Sequence, residues 1–302
     1  KAYLTPSGVP VVDLNTANGA GLSHNKFTHY NVPTQGLVLN NSVPTQFSYP
    51  SQLVGSVTVN FNTKDAAKVI LNEVVAPNAT TIAGFTEIVG GKADLVVANP
   101  YGIAVKGGGF INTDRVTLAT GEPMIGPDGT LAGLRVVRGE LSIAGNGLNA
   151  TNVSLIDLLA RTVKIDGQVN AQELIVGAGA NDYDYASRQL SANHAPDAAP
   201  AYAVDSSVLG GMYANRIRLV ATDAGVGVRM LGDDAAPATS TQPAACNSRT
   251  NFPPNATSAS PAPAALKSQA PHRRSARNAI SRSTPKRAIF PSATVLSSPA
   301  AI

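Results

Sequence analysis

The chain has 302 residues, of which 43% are hydrophobic and only 5% aromatic, with 27 Gly, 21 Pro, one Cys and no Trp. This length suffices for a sizeable core, but so few bulky side chains favour a narrow, repetitive core over a wide sandwich. The formal net charge of +4 is unevenly distributed: residues 1–234 carry 15 Lys and Arg against 19 Asp and Glu, whereas residues 235–302 carry eight basic residues and no acidic one. The basic balance therefore does not indicate a nucleic-acid partner for the whole chain.

No apolar run approaches the length of a membrane-spanning helix, and the chain starts at Lys1 without an initiator Met or an apolar leader. We expect that any signal peptide was removed or was not included in this sequence. The single cysteine, Cys246, lies in the basic tail, so we expect no internal disulfide in residues 1–234.

The clearest local pattern is a strand, a tight turn and a second strand within residues 95–105. The apolar run 95–97 is typical of a buried strand. It is followed by Asn99, Pro100, Tyr101 and Gly102, where Asn in the first position, Pro in the second and Gly in the fourth predict a type I turn. Ile103 then begins the next strand.

A degenerate repeat runs through the rest of the body: an apolar residue, Asn, polar residues, and then two apolar positions two residues apart. It occurs at 111–118, 148–155 and 169–176, and without the Asn at 212–219. The start-to-start intervals of 37, 21 and 43 residues lie near two, one and two multiples of a coil of about 20 residues. Apolar residues two apart predict a strand with one buried face.

These patterns predict an all-β fold, a right-handed parallel β-helix (solenoid), with strands about 4.8 Å apart along its axis. A β-sandwich is the alternative, because short strands at regular spacing also predict it; the near-integer intervals favour the β-helix. Segments 43–51 and 182–204 lack the repeat and are interpreted as hairpin or loop excursions from the coil. Residues 157–161 alone resemble a helix, and they are too few to form one.

The composition changes at residue 235, after which Ala, Pro, Ser and Arg dominate, with ten prolines and no strand pattern. Such a segment cannot bury enough apolar surface to offset its ordering entropy, so residues 235–302 are predicted to be a disordered tail. Its abrupt onset suggests an out-of-frame or truncated continuation. The alternative is a basic segment that binds nucleic acid or anionic lipid through Arg273, Arg274, Arg277, Arg282, Lys286 and Arg287.

Residues that could support catalysis or bind metal are scattered. The histidines of the body have no partner at metal-ligand spacing: His24, His29 and His194. Ser23 beside His24 lacks the acid of a triad, so capping or a buried hydrogen bond is favoured. Asp182 and Asp184 could flank a cation, but they lack a third acidic ligand and the glycine of a calcium loop. The glycines at 107–109 are not followed by Lys-Ser or Lys-Thr and predict a tight corner.

We therefore expect no catalytic residue, no metal and no cofactor, and the chain is interpreted as not an enzyme.

Several segments in order resemble the N-terminal two-partner secretion domain of filamentous haemagglutinins and related large exoproteins. They are 8–13, 21–27, 30–32, 36–41, 99–103, 160–165, 177–181 and 225–229. Residues 99–103 resemble that domain's Asn-Pro-Asn-Gly-Ile segment, with Tyr101 in place of the middle Asn. The family's earlier Asn-Pro-Asn-Leu motif is Asn60, Phe61, Asn62 and Thr63 here. Without its proline, this first turn is expected to be looser.

The resemblance implies that residues 1–234 are a secretion-targeting domain of a large exported protein. It implies recognition by the periplasmic domains of a cognate Omp85-type outer-membrane transporter, and export through the periplasm to the surface or surroundings of a Gram-negative cell, where the domain nucleates β-helix folding. The expected recognition motifs are the two turns: Asn60, Phe61, Asn62 and Thr63, and Asn99, Pro100, Tyr101, Gly102 and Ile103.

The runner-up function is an adhesin module that itself contacts host glycans or receptors. An exposed aromatic cluster would favour it, and the candidates are Tyr183, Tyr185 and Tyr202. A toxin proper is disfavoured, because the effector activity of such proteins lies at a C-terminus that this chain does not contain. Whether the parent is an adhesin, a haemolysin or a contact-dependent growth-inhibition toxin stays open, as do receptors on host or neighbouring cells that the parent contacts.

Overall fold

A computed structural model describes residues 1–207, 210–224 and 226–231. Within these residues the chain forms strands and turns, and no helix there is long and apolar enough to cross a membrane. Of residues 157–161, which resembled a helix, the first four lie in a long strand that ends at Ala160. The predicted disordered tail at 235–302, with its basic residues, lies outside the described residues.

The first twelve strands lie before residue 112. In chain order they are β1 (Ala2–Leu4), β2 (Pro10–Asp13), β3 (Leu22–Phe27), β4 (Leu37–Asn41), β5 (Ser48–Ser51), β6 (Gly55–Thr58), β7 (Val69–Val74), β8 (Thr80–Ile82), β9 (Thr86–Gly90), β10 (Asp94–Ala98), β11 (Ile103–Val105) and β12 (Phe110–Ile111).

The remaining strands of the described residues include two that exceed ten residues. In chain order they are β13 (Arg115–Ala119), β14 (Glu122–Ile125), β15 (Leu131–Val136), β16 (Glu140–Ile143), β17 (Leu148–Ala160), β18 (Thr162–Ile165), β19 (Gln168–Ala178), β20 (Asn181–Asp184), β21 (Leu190–Ala192), β22 (Tyr202–Ser206), β23 (Gly211–Tyr213), β24 (Arg216–Ala221) and β25 (Gly227–Met230).

Three sheets of parallel strands form the walls of the coil. Sheet 1 has the order β2-β4-β9-β12, with β1 antiparallel at its end; sheet 2 has the order β3-β7-β10-β13-β17-β19, with β23 and β24 both beside β19; sheet 3 has the order β8-β11-β16-β18-β22-β25. The chain visits the walls in rotation, for example from β10 in sheet 2 to β11 in sheet 3, β12 in sheet 1 and β13 in sheet 2. The predicted parallel β-helix is confirmed.

Side-chain alternation separates an interior from an outer face in each wall. In β10, Leu95 and Val97 belong to the core that fills the coil, whereas Val96 and Ala98 pack in a second cluster on the outer face of sheet 2. Both sets are almost fully buried. Residues 95–98 are therefore all apolar because both faces of sheet 2 are covered at this strand.

The repeat marks the strands of sheet 2, but the predicted number of coils is wrong. Strands β13 and β17 are direct neighbours, with Val116 paired to Ile156, and β19 and β24 are neighbours, with Leu174 paired to Ile217. The intervals of 37 and 43 residues each contain one coil lengthened by an excursion, not two coils. The repeat at 148–155 also starts three residues early, because Val116 pairs with Ile156 where the repeat aligns it with Val153.

The first excursion is the antiparallel hairpin β5–β6, which begins inside the predicted segment 43–51 and extends to Thr58. It packs on the outer face of sheet 1 through a small valine cluster. The buried carboxylate of Glu87 in β9 anchors it, accepting hydrogen bonds from Ser51 Oγ at 2.6 Å and from the backbone N–H groups of Gln52 at 2.7 Å and Leu53 at 3.0 Å.

Two further excursions, the hairpins β14–β15 and β20–β21, join into an antiparallel sheet of four strands, β14-β15-β20-β21, which we call the outer sheet. It covers the outer face of sheet 2, where Leu134 and Tyr183 are fully buried. Strands β20 and β21 fall mainly in the predicted excursion 182–204, but the hairpin β14–β15 was not predicted. The run Pro127, Asp128 and Gly129 between apolar residues is a hairpin-turn signal that could have revealed it.

Candidate functional site

The second predicted motif is the turn that links β10 in sheet 2 to β11 in sheet 3. The Asn99 side chain is fully buried, and its Nδ2 donates to the carbonyl O of Asn78 and to Thr80 Oγ1, each at 2.9 Å. Its Oδ1 accepts from the Tyr101 N–H at 2.9 Å, and its carbonyl O accepts from the Gly102 N–H at 3.1 Å. The hydrogen-bonded four-residue turn predicted here is thus present, and its asparagine binds the preceding coil.

The other residues of this motif differ in exposure. Pro100, Gly102 and Ile103 are buried, and Gly102 has φ of 113°, a backbone conformation that favours glycine. Tyr101 is 38% exposed, and the Arg138 guanidinium lies 5.1 Å from the centre of its ring. The turn therefore presents one aromatic side chain to solvent and keeps its remaining residues inside.

The first motif forms the same arrangement without a proline. Asn60 Nδ2 donates to the carbonyl O of Leu14 at 2.9 Å and of Asn40 at 3.1 Å, and Asn60 Oδ1 accepts from the Asn62 N–H at 3.0 Å. The Thr63 N–H and Oγ1 each donate to the Asn60 carbonyl O at 3.3 Å. The turn is closed by the same kinds of hydrogen bonds as the Asn99 turn, and its looser character stays a prediction.

Phe61 occupies the exposed position of this first turn. Its side chain is 70% exposed, and together with Phe47, which is 85% exposed, it lines an open groove of about 210 Å³. The two motifs bind different parts of the coil, Leu14 and Asn40 in one case and Asn78 and Thr80 in the other. The structure thus gives two separate turns of common design, each with a buried asparagine and an exposed aromatic ring.

The catalytic and metal-binding candidates have ordinary structural partners. Ser23 Oγ donates to the Asn15 carbonyl O at 2.7 Å, and His24 Nε2 lies 2.6 Å from Glu73 Oε2. Asp182 pairs with Arg135 at 2.9 Å. Among the residues that the structure describes, no group of three or more His, Cys, Asp or Glu could hold a metal ion.

The Asp184 side chain organises the loop after β20. Its carboxylate accepts hydrogen bonds from the Ser187 N–H and Oγ, each at 2.7 Å, and these bonds lower the pKa of Asp184.

The aromatic cluster that would favour an adhesin module is not exposed. Tyr183 is fully buried and Tyr185 is 8% exposed, both packed against the outer face of sheet 2, and burial raises the pKa of both hydroxyls. Tyr202 is 42% exposed and stacks against Arg229 elsewhere on the coil. These three residues therefore do not form the receptor surface that the alternative requires.

A sequence model of the family described as "TPS secretion domain" matches residues 4–243. The "tRNA nuclease CdiA" of Escherichia coli (strain STEC_O31) is 46% identical over 226 residues, which make up 74% of this chain and 7% of that protein. The "Filamentous hemagglutinin" of Bordetella pertussis (strain Tohama I) is 40% identical over 238 residues, 76% of this chain and 6% of that protein. The chain thus spans less than a tenth of the length of these curated relatives.

A solved structure described as "Crystal structure of filamentous hemagglutinin secretion domain" has the same fold. It aligns with a TM-score of 0.74 and 38% sequence identity, over 78% of this chain and 81% of that chain. The residues that match the family model, 4–243, include both Asn turns.

Proposed function

This chain belongs to the TPS secretion domain family, the secretion domain of large exported proteins, and we propose that it is recognised by the periplasmic domains of a cognate Omp85-type outer-membrane transporter. In this proposal the domain crosses the periplasm, reaches the cell surface and performs no catalysis of its own. The observation that carries the proposal is the family match over nearly the whole described body. The boundary at residue 234 between this domain and a separate tail is likewise a proposal, made from composition.

The two turns are proposed as the residues that the transporter recognises. In the folded domain Asn60, Asn99 and Pro100 are buried, while Phe61 and Tyr101 are exposed. A partner can contact the buried residues only before the domain folds. The burial pattern therefore supports recognition of the unfolded chain, in which an extended segment such as 95–105 adds as a strand to a sheet edge of the transporter.

Folding outside the cell then has a defined starting point. Strands β24 and β25 are each paired on one side only within the described part of the chain. An open parallel edge of this kind accepts a further coil in the same register, which is how stacked repeats propagate. We propose that the folded domain templates the following coils of a longer parent protein in this way.

Recognition before folding predicts that the purified periplasmic domains bind the unfolded chain in preference to the folded one. The test immobilises these domains and compares chain freshly diluted from urea with chain that has first refolded. We expect at least about tenfold tighter binding of the unfolded chain, a difference of ~1.4 kcal/mol. Equal binding by the folded chain would exclude recognition before folding, and absence of binding by both would exclude the proposed partner.

The adhesin alternative has less support, because its three tyrosines do not form an exposed cluster. The Escherichia coli relative named for nuclease activity matches this chain over only 7% of its own length. We therefore attribute any adhesive or toxic activity to other parts of a longer parent protein, and this attribution is also a proposal.

A further inference from the structure

A buried cluster of charged and hydroxyl groups lies between sheet 2 and the outer sheet. Asp157 is fully buried, and its Oδ2 accepts hydrogen bonds from Arg115 Nε at 2.9 Å and Thr117 Oγ1 at 2.8 Å. Arg115 Nη1 donates to the Tyr185 carbonyl O at 2.8 Å, and Nη2 donates to the Tyr183 hydroxyl at 3.0 Å. The Arg115 guanidinium also stacks on the Tyr185 ring at 3.8 Å. We call these five residues the buried charge cluster.

The cluster joins strands that are far apart in the sequence. Arg115 and Asp157 lie on β13 and β17, which are adjacent in sheet 2. Tyr183 and Tyr185 come 68 and 70 residues after Arg115 and belong to β20 and the loop that follows it. When the chain folds in order from its N-terminus, the Arg115–Asp157 pair therefore forms before the two tyrosines are available.

The hairpin β14–β15 ends at Val136, so it precedes both Asp157 and the two tyrosines in the chain. It packs on the outer face of sheet 2 beside the cluster, and β15 pairs on its other side with β20. Closing the hairpin onto the outer face of sheet 2 before β20 arrives would withdraw water from the neighbouring Arg115 while its Nη groups lack their two tyrosine acceptors. Burial of an unpaired charge is strongly unfavourable, whereas the completed pair with its extra hydrogen bonds is tolerated. Water must therefore stay at Arg115 until residues 183–185 replace it.

We propose that the buried charge cluster sets the order in which the domain closes: the β14–β15 hairpin seals sheet 2 only when Tyr183 and Tyr185 supply the last acceptors of Arg115. The cluster thereby makes the outer sheet one cooperative unit, although its two halves are separated by β16 to β19 in the chain. A buried ion pair contributes little to net stability compared with apolar residues of similar volume. Its role here is to prevent premature closure over sheet 2, and this inference does not depend on the identity of a transporter.

The order of closure is measured by refolding the full chain from urea with pulses of hydrogen exchange and reading protection by mass spectrometry. In the wild type we expect amides of β14 and β15 to become protected together with those of β20 and β21, after β7, β10 and β13. In the double variant Arg115→Met with Asp157→Leu, the hairpin should become protected before β20 and β21. Wild-type protection of β14 and β15 ahead of β20, or an unchanged order in the double variant, would overturn the proposal.

A control and a milder variant separate this role from general packing. Arg135→Met removes an exposed ion pair with Asp182 that also joins β15 to β20, and it should keep the wild-type order. Tyr183→Phe keeps the aromatic ring and removes one acceptor of Arg115. In the native protein it should speed exchange throughout the outer sheet at least about tenfold, while leaving β7 and β10 unchanged. An increase confined to β20, or one of less than about twofold, would contradict the coupling of the two halves.

Discussion

Replacing Gly108 with alanine is expected to destabilise the domain by about 3 kcal/mol or more, a large part of the stability of a typical domain. A Cβ atom at this position would lie 2.1 Å from the Gly84 carbonyl O, and Gly108 has φ of 112°, which L-residues rarely adopt. The obstacle is the backbone of the adjacent coil, which cannot move aside as a side chain can. The corner predicted from the glycines at 107–109 thus sets how closely two coils stack.

A second glycine separates the backbone conformation from the steric conflict. Gly55 in the β5–β6 hairpin has φ of 77°, but a Cβ there would have no atom within 4 Å. Gly55→Ala should therefore cost only about 1–2 kcal/mol, the penalty of the left-handed conformation. Urea unfolding of both variants measures the difference, and equal losses would show that the close approach of the coils is not the cause.

The double variant Asn99→Ala with Pro100→Ala is expected to lower secretion several-fold more than its loss of stability explains. Removing the Asn99 amide deletes two donated hydrogen bonds and one accepted bond, at a cost of about 1–3 kcal/mol. Removing Pro100 adds up to about 1 kcal/mol through the unfolded chain. The folded domain tolerates such a loss of stability, but a transporter that recognises the turn in the unfolded chain can no longer bind it.

Asn41 provides a matched control for this variant. Its Nδ2 donates to the carbonyl O of Ala67 at 3.0 Å and of Gly91 at 2.8 Å, and its Oδ1 accepts from the Ala67 N–H at 2.8 Å. Asn41→Ala should thus destabilise the domain about as much as Asn99→Ala while leaving secretion near the wild-type level. Thermal unfolding and secreted yield are measured for both. If secretion follows melting temperature alone across the set, the Asn99 turn is only structural.

The sequence was most informative where a structure is encoded locally. The strand, turn and strand of 95–105 could be predicted because Asn99, Pro100 and Gly102 each restrict the backbone of their own turn. The parallel coil followed from a repeat whose apolar positions have the period of a strand. The predicted number of coils is wrong because an excursion as long as a coil gives the same interval between repeats as an additional coil.

Contacts between distant residues account for what could not be predicted. Glu87 anchors a hairpin 34 to 36 residues earlier in the chain, and Arg115 binds residues up to 70 positions later. No local pattern shows that such charges are paired and buried. The burial of Tyr183 and Tyr185 could not be predicted for a related reason: it depends on the pairing of β20 with β15, a strand far from it in the sequence.

The central claim, that this domain directs export through an outer-membrane transporter, is tested most directly by secretion with and without that transporter. The chain is expressed behind a signal peptide in cells that carry the cognate Omp85-type protein and in otherwise identical cells that lack it. The account predicts release into the medium only when the transporter is present, with the chain retained in the periplasm when it is absent. Equal release from both kinds of cell would contradict it.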